Sequence, residues 1–258
     1  MAAAIDTNKT DRTHYSYTAY QTDSITRNFD AMRFGGSFGR YIAEHQLSFV
    51  LKHIDNPSGS RILDLGAGTG RTALPLSRLG ASVLAADASE KMLSIIQEKS
   101  FLQGIPLELA QIDAHTLPFP DRSFDTVITF RLIMHVVNWR QTLSEICRVS
   151  RNTVILDFPP KCGLAGFAPI VHHLVRPFRK NHQSYRVFNI SDITSALYAE
   201  DYVVTAMDKH LVLPFGLHRF VNSSGFTAVS ESVLAKAGFR DLFGAPVTVI
   251  ARRRKCLQ

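Results

Sequence analysis

The segment Asp64-Leu65-Gly66-Ala67-Gly68-Thr69-Gly70 carries the clearest ligand-binding signal in this chain of 258 residues. Glycines at that spacing permit a tight turn and let a ligand approach main-chain N–H groups with no Cβ in the way. Asp64, just ahead of them, can face a cationic group or fix the loop by hydrogen bonds. Asp87 follows 21 residues after Gly66, close to the spacing at which dinucleotide folds place an acid on the ribose hydroxyls. Asp113 is a third carboxylate, within Gln111-Ile-Asp-Ala-His-Thr-Leu-Pro118. His135 titrates near neutral pH and can act as a general base or orient a substrate. Two familiar loops are excluded. The dinucleotide fingerprint G-x-G-x-x-G needs glycine at 71, and the phosphate loop G-x-x-x-x-G-K-[ST] needs glycine at 65 and lysine at 71. The chain has Leu65 and Arg71. What remains is D-x-G-x-G-x-G.

These residues need strands and helices to hold them, and the sequence supplies both in alternation. Arg61 to Ala67 is an apolar run ending in the glycines, and Arg71 to Leu79 reads as a helix. A second run, Ser82 to Ala86, stops at Asp87. Ser89 caps a helix with Met92, Leu93, Ile95 and Ile96 on one face, broken by Gly104-Ile105-Pro106. Leu107 to Ile112 is a third strand ending at Asp113. The turn Pro118 to Ser123 leads into a fourth, Phe124 to Phe130. Asn138 to Arg148 is helical, and Thr153 to Phe158 is a fifth strand stopped by Pro159-Pro160. Apolar strands alternating with helices predict a parallel sheet covered on both faces, with right-handed crossovers. The fold class is α/β, a doubly wound sheet.

Beyond Pro160 the rhythm changes. About sixty residues pass before a helix at Phe226 to Ala237, then Phe239 to Phe243 and a strand at Pro246 to Ala251. Residues 159–222 read as an insertion over the strand C-termini, with a strand at Tyr202 to Leu213. Open α/β sheets bind ligands at that end, so the insertion is a candidate substrate cap. Within it Leu164, Phe167, Ile170, Val171, Leu174 and Val175 share a helical face, near His172, Arg176 and Arg179. That face suits either packing on the core or contact with a lipid or membrane-borne substrate. The domain reading is a helical lid segment at 1–50, a core at 51–158, the cap at 159–222, and a completing helix and strands at 223–258.

The D-x-G-x-G-x-G loop resembles the first motif of class I S-adenosylmethionine-dependent methyltransferases. Phe124-Asp-Thr-Val-Ile-Thr-Phe130, running on to His135-Val136, is similar to the fourth-strand segment of the ubiquinone/menaquinone-biosynthesis (type 11) group. The resemblance covers residues 58–158 well and the C-terminal part loosely. It implies a Rossmann-like, mostly parallel seven-stranded sheet and S-adenosylmethionine as cofactor. It places Asp64, Gly66, Ala67, Gly68 and Gly70 against the cofactor's methionine portion and ribose. Asp87, with Ala88, meets the ribose hydroxyls, and Asp113, with Ala114, meets the adenine amino group. Phe130 and Met92 complete the cofactor set, although Met92 fits the core equally. Tyr20 and Tyr41 belong to a helical entry whose tyrosines border the cofactor in the family, or sit as core-edge residues with a wet hydroxyl. Arg71 reads as a contact to the cofactor carboxylate or as a solvated helix start. His135 lies beside the expected methyl position, as base, as substrate-orienting group, or as a histidine satisfied within the turn. His172 and His173 are poorer catalysts, because adjacent helical positions diverge.

Composition bounds the partners. Hydrophobic residues are 45% and charged residues 20% of the chain, which is globular rather than disordered. A net charge of +7 keeps nucleic acid, anionic lipid and acidic small substrates open. Phe158 to Ile190 lacks acids but carries Lys161, Arg176, Arg179, Lys180 and Arg186. The run Arg252 to Lys255 reads as a solvated end after the last strand. Cys147, Cys162 and Cys256 show no paired spacing, so neither disulfides nor a metal is expected. Met1 to Thr10 carries no cationic-then-apolar leader, and no apolar run reaches the roughly 18–20 residues of a bilayer span. A soluble, cytoplasmic protein follows. The leading function is methyl transfer to a small or amphiphilic, lipid-like acceptor, with peripheral membrane contact through 159–190. RNA methylation, motivated by the charge, and a catalytically silent cofactor-binding regulator or partner subunit are the other readings. The acceptor and the oligomeric state stay open.

Overall fold

A computed structural model describes residue 30 and residues 35–54, 56–161 and 185–254. Among the described residues the first bounded element is helix α1 (Gly36–His53), and the chain then alternates: β1 (Arg61–Leu65), α2 (Ala73–Arg78), β2 (Ser82–Asp87), α3 (Glu90–Gln103), β3 (Glu108–Gln111) and β4 (Phe124–Thr129). It continues through α4 (Trp139–Val149), β5 (Ser150–Phe158), α5 (Ile190–Ala199) and β6 (Tyr202–Leu211). Three further helices follow, α6 (Phe215–Val221), α7 (Ser224–Lys236) and α8 (Phe239–Phe243), before β7 (Ala245–Arg253). The seven strands form one sheet in the order β3-β2-β1-β4-β5-β7-β6. Strands β1 to β5 run parallel, and β7 is antiparallel to both β5 and β6. The order reverses between β1 and β4, the switch point where open α/β sheets form their ligand crevice.

Local chemistry accounts for these elements. Ser89 accepts from the Met92 N–H at 3.3 Å and starts α3; Asn138 does the same for Gln141 at 3.3 Å and starts α4. Gly104, at φ 62°, stops α3 in the left-handed conformation. The central strands are buried on both faces, as their unbroken apolar runs require. Leu63, Leu65, Val127, Val154 and Leu156 meet α4 and α5 on one side. Ile62, Ile128, Ile155 and Ile250 meet the apolar residues of α1, α2 and α3 on the other.

Two expectations are corrected here. Part of the stretch read as a cap belongs to the sheet: α5 packs against α4 and β6, and β6 is the sheet's edge strand. Tyr202 fixes it there, fully buried and donating its hydroxyl to the Ser150 carbonyl at 3.0 Å. The amphipathic segment expected between Leu164 and Arg179 lies outside the described residues. In the run read as a solvated end, Arg252 and Arg253 are tied into the fold, Arg254 is exposed, and Lys255 lies outside the described residues. Arg252 donates to the His53 carbonyl, and Arg253 donates to the carbonyls of Cys147 and Ser150 while lying 4.7 Å over the Tyr202 ring. Arg254 pairs with Asp201 and stacks over Tyr198. Carbonyls at the end of α4 need donors, and the Arg253 guanidinium supplies them.

Helix α1 is anchored through a buried polar knot. Glu231 accepts from the Val212 and Leu213 N–H groups and pairs with His218 at 2.8 Å. His218 in turn stacks on Phe38 of α1 with ring centroids 5.2 Å apart. No described helix is long and apolar enough to cross a membrane.

Candidate functional site

The glycine loop closes the C-terminal end of β1 and turns into α2. Gly66 and Ala67 both donate to the Ala86 carbonyl, at 2.8 and 3.0 Å, which locks the loop to the end of β2. Gly68 and Gly70 have positive φ, 56° and 79°, but their surroundings differ. A Cβ on Gly68 would meet nothing within 4 Å, and this residue faces open cavity. A Cβ on Gly70 would lie 3.2 Å from Leu74 and 3.3 Å from Ile96. Gly70 therefore serves the packing of α2 on α3 and does not line the cavity. Gly70→Ala is expected to destabilise the fold by about 1–2 kcal/mol from the left-handed conformation alone. Denaturant unfolding reads that loss.

The cavity encloses about 1120 Å³, counting the solvent at its mouth. Its lining includes Asp64, Gly66, Ala67, Gly68, Asp87, Ala88, Met92, Asp113, Ala114, Phe130 and His135. Eleven of the residues picked from the sequence thus meet on one surface. Tyr41 does not. It lies on α1 beside His45 and His210, at 6.3 and 6.4 Å between ring centroids. The α1 residue that reaches the cavity is Gln46, five positions on and so turned by about 140° around the helix. Tyr20 lies outside the described residues. The structure adds Thr69, Arg71, His115, Arg131 and Leu132 to the lining. The sequence offers Arg71 as a contact, but no spacing motif marks Arg131 or His115.

Charge is unusually concentrated on the floor of this cavity. Asp64 is buried, and its Oδ2 has no hydrogen-bond partner among the described residues. Burial, with Asp87 nearby, pushes its carboxyl up to about 7, although the Ala73 N–H opposes this. Burial also raises Asp87, against the N–H groups of Ser89 and Gly68, which donate to its two oxygens at 2.9 Å each. Those two bonds fix the side chain at the end of β2. Asp113 accepts from the N–H of His115 at 2.9 Å and sits 2.7 Å from its Nδ1. The Asn138 N–H donates to Nε2 of that ring at 3.2 Å, which leaves the ring proton on Nδ1, aimed at Asp113.

Two arginines, Arg71 and Arg131, line the same cavity. Burial, reinforced by Arg131, lowers Arg71 to about 9. Arg131 holds φ 57°, and its N–H donates to buried Asp157, whose carboxyl burial raises to about 6. His135 lies on the wall just past β4, its N–H bonded to the Leu132 carbonyl at 2.8 Å. A floor of three carboxylates is hostile to phosphate and suited to a ligand carrying a cationic group, hydroxyls and an amino group. The arginines add a place for one anionic group.

The comparisons with known proteins agree with this chemistry. A family described as methyltransferase domain matches residues 63–156. The phosphatidylethanolamine N-methyltransferase of Cereibacter sphaeroides is 33% identical over 159 residues, 60% of this chain and 71% of that protein. The demethylmenaquinone methyltransferase of Thermus thermophilus is 38% identical over 105 residues, 39% of this chain and 48% of its own length. With other curated relatives the chain spans about a third of their length, 34%. Among solved structures, magnesium protoporphyrin IX methyltransferase from Synechocystis aligns with a TM-score of 0.64, 16% identity, and 92% and 99% of the two chains covered. At that identity the likeness is one of fold.

Proposed function

The chain belongs to the class I S-adenosylmethionine-dependent methyltransferases, and on that premise we propose that it methylates a small amphiphilic or lipid-like acceptor. The observation that carries the cofactor's placement is the buried Oδ2 of Asp64, left without a hydrogen-bond partner among the described residues. A buried carboxylate oxygen with no donor is costly, and the cationic amino group of the cofactor's methionine end is the donor it lacks. Asp87, held by Gly68 and Ser89, faces the ribose hydroxyls. Asp113, oriented by His115, faces the adenine amino group. Gly68, with no obstruction within 4 Å, lets the ligand lie against the backbone.

When bound, S-adenosylmethionine supplies a methyl group already activated on a sulfonium. The protein's own work is then to align an acceptor and keep the site dry. His135 takes the proton released by the acceptor, or holds it in line, from its place past β4. Arg71 and Arg131 neutralise the anionic end of whichever ligand reaches them.

Two observations favour an amphiphilic acceptor. The relatives include proteins named for a phospholipid and a quinone. Helices α6 to α8 also expose Phe220, Val229, Val233 and Leu242, with Phe220 89% accessible. Arg219 and Lys236 lie on the same helices. Apolar residues at this density, bordered by cations, suit contact with a lipid interface. Incubation with methyl-labelled cofactor and a cell extract should place label in the organic phase. Label confined to RNA would replace the acceptor class, and binding of S-adenosylhomocysteine without any labelled product would favour a silent binding protein.

A further inference from the structure

We propose that His45, Asp208 and His210 form a binding site for a divalent transition-metal ion that clips helix α1 to edge strand β6. Asp208 and His210 are two apart on a strand, so both side chains point to the same face of the sheet. That face is the one α1 covers, and it brings His45 over them. Oδ2 of Asp208 lies 2.8 Å from Nε2 of His45 and 3.5 Å from Nδ1 of His210. The two imidazoles meet edge-on, with centroids 4.0 Å apart and planes at 72°. One ligand atom from each residue falls within 4.8 Å of the other two. Tetrahedral zinc, with bonds of about 2.0–2.2 Å to nitrogen and oxygen, sets its ligands roughly 3.4 Å apart. Small side-chain adjustments therefore suffice to receive an ion.

The donor set decides the class of ion. Two imidazoles and one carboxylate suit Zn²⁺, Co²⁺ or Ni²⁺, whereas Mg²⁺ and Ca²⁺ favour oxygen donors. An approach is open: the His210 side chain is 7% accessible, Asp208 16%, and His45 31%. An ion entering past His45 would keep a water as its remaining ligand.

The position gives such an ion a consequence for the cavity. Gln46 follows His45 on α1, lines the cavity and reaches the Arg71 guanidinium at 3.5 Å. Asp208 shares a cross-strand row with Thr248 and Asp157, and Asp157 holds the Arg131 N–H. A metal at His45 thus sets where α1 sits relative to both arginines. The ion is a structural clip and shares no ligand with the cofactor cavity.

The test uses tag-free, full-length protein freed of metal by chelator. Titration with Zn²⁺ against a chromophoric chelator should show one tight site, and Co²⁺ should give the visible absorption of a tetrahedral complex. His45→Ala, Asp208→Asn and His210→Gln should each weaken Zn²⁺ binding a hundredfold or more, with Zn²⁺ raising the Tm of the wild type only. His45, the most exposed of the three, is the variant that keeps the fold, as retained S-adenosylhomocysteine binding would verify. Absence of a Zn²⁺ site in the wild type, or equal binding by His45→Ala, overturns the proposal. Loss of nucleoside binding in a protein that still takes up Zn²⁺ would strike the methyltransferase reading instead.

Discussion

Asp87→Ala is expected to weaken binding of S-adenosylhomocysteine by about a hundredfold while leaving a folded protein. Asp87 ends β2, and both oxygens are already pinned by backbone donors, Gly68 and Ser89, at 2.9 Å. A pinned carboxylate loses little freedom when a ligand arrives, so its hydrogen bonds to ribose hydroxyls are expressed almost fully as affinity. Hydrogen bonds to a charged group are worth about 1.5–3 kcal/mol each. Two at the low end give about 3 kcal/mol, and each 1.4 kcal/mol is a factor of ten. The fold should survive because burial already disfavours the charged side chain, and the strand itself is fixed by ladders to β1 and β3. Calorimetry measures the effect directly. An affinity within threefold of wild type would remove Asp87 from the ligand site. Asp87→Asn, which keeps the shape and one acceptor oxygen, should fall between the two.

How much of this was legible in the sequence depended on the range of the interactions involved. The five parallel strands and the helices between them announce themselves through unbroken apolar runs and capping residues, all local signals. The residues ending those runs, Asp64, Asp87 and Asp113, reach one cavity because parallel strands end on one side. Long-range pairing was not legible. Half-exposed β6 looks the same in sequence whether it covers a site or extends a sheet, and only its ladder with β7 decides. Tyr41 and Gln46 are separated by the rotational phase of α1, which depends on packing against β6 and α7. Arg252 and Arg253 resemble a basic tail until their acceptors on α1 and α4 are located. The His45–Asp208 pair joins residues 163 apart. Arg131 carries no sequence signal because its place rests on a left-handed backbone and a cross-strand acid, and neither leaves a spacing motif.

Asp64→Asn is expected to make the ligand-free protein more stable at pH 8 and to remove most of its cofactor affinity. In the native state burial raises this carboxyl from the ordinary 3.8 to about 7. Between those values the native protein retains a proton that the unfolded chain has released. Stability therefore rises as pH falls from about 7 toward 4, and the penalty is complete above pH 7. At 1.36 kcal/mol per unit, a shift of about three units sets a ceiling near 4 kcal/mol. The neutral asparagine escapes that penalty but buries an amide lacking a partner, at a cost of about 1–3 kcal/mol. A net gain of about 2 kcal/mol at pH 8 should remain. Asp157, raised to about 6, contributes in the same direction in both proteins, so the variant keeps a shallower rise on acidification. Binding should show the opposite sign. On the proposed pairing the ligand's ammonium needs Asp64 ionised, so wild-type affinity should fall and protons should be released on binding as pH drops below 7. Above about 8 the ligand's own amino group begins to lose its charge, which gives a bell-shaped affinity with its maximum between. The variant should bind weakly, with no acid limb. Urea unfolding and calorimetry across pH 5.5 to 9 measure both curves. A variant less stable than wild type at pH 8 would show that burial does not strain this carboxylate, and one that binds with the acid limb intact would show that it is not the partner of a cationic ligand.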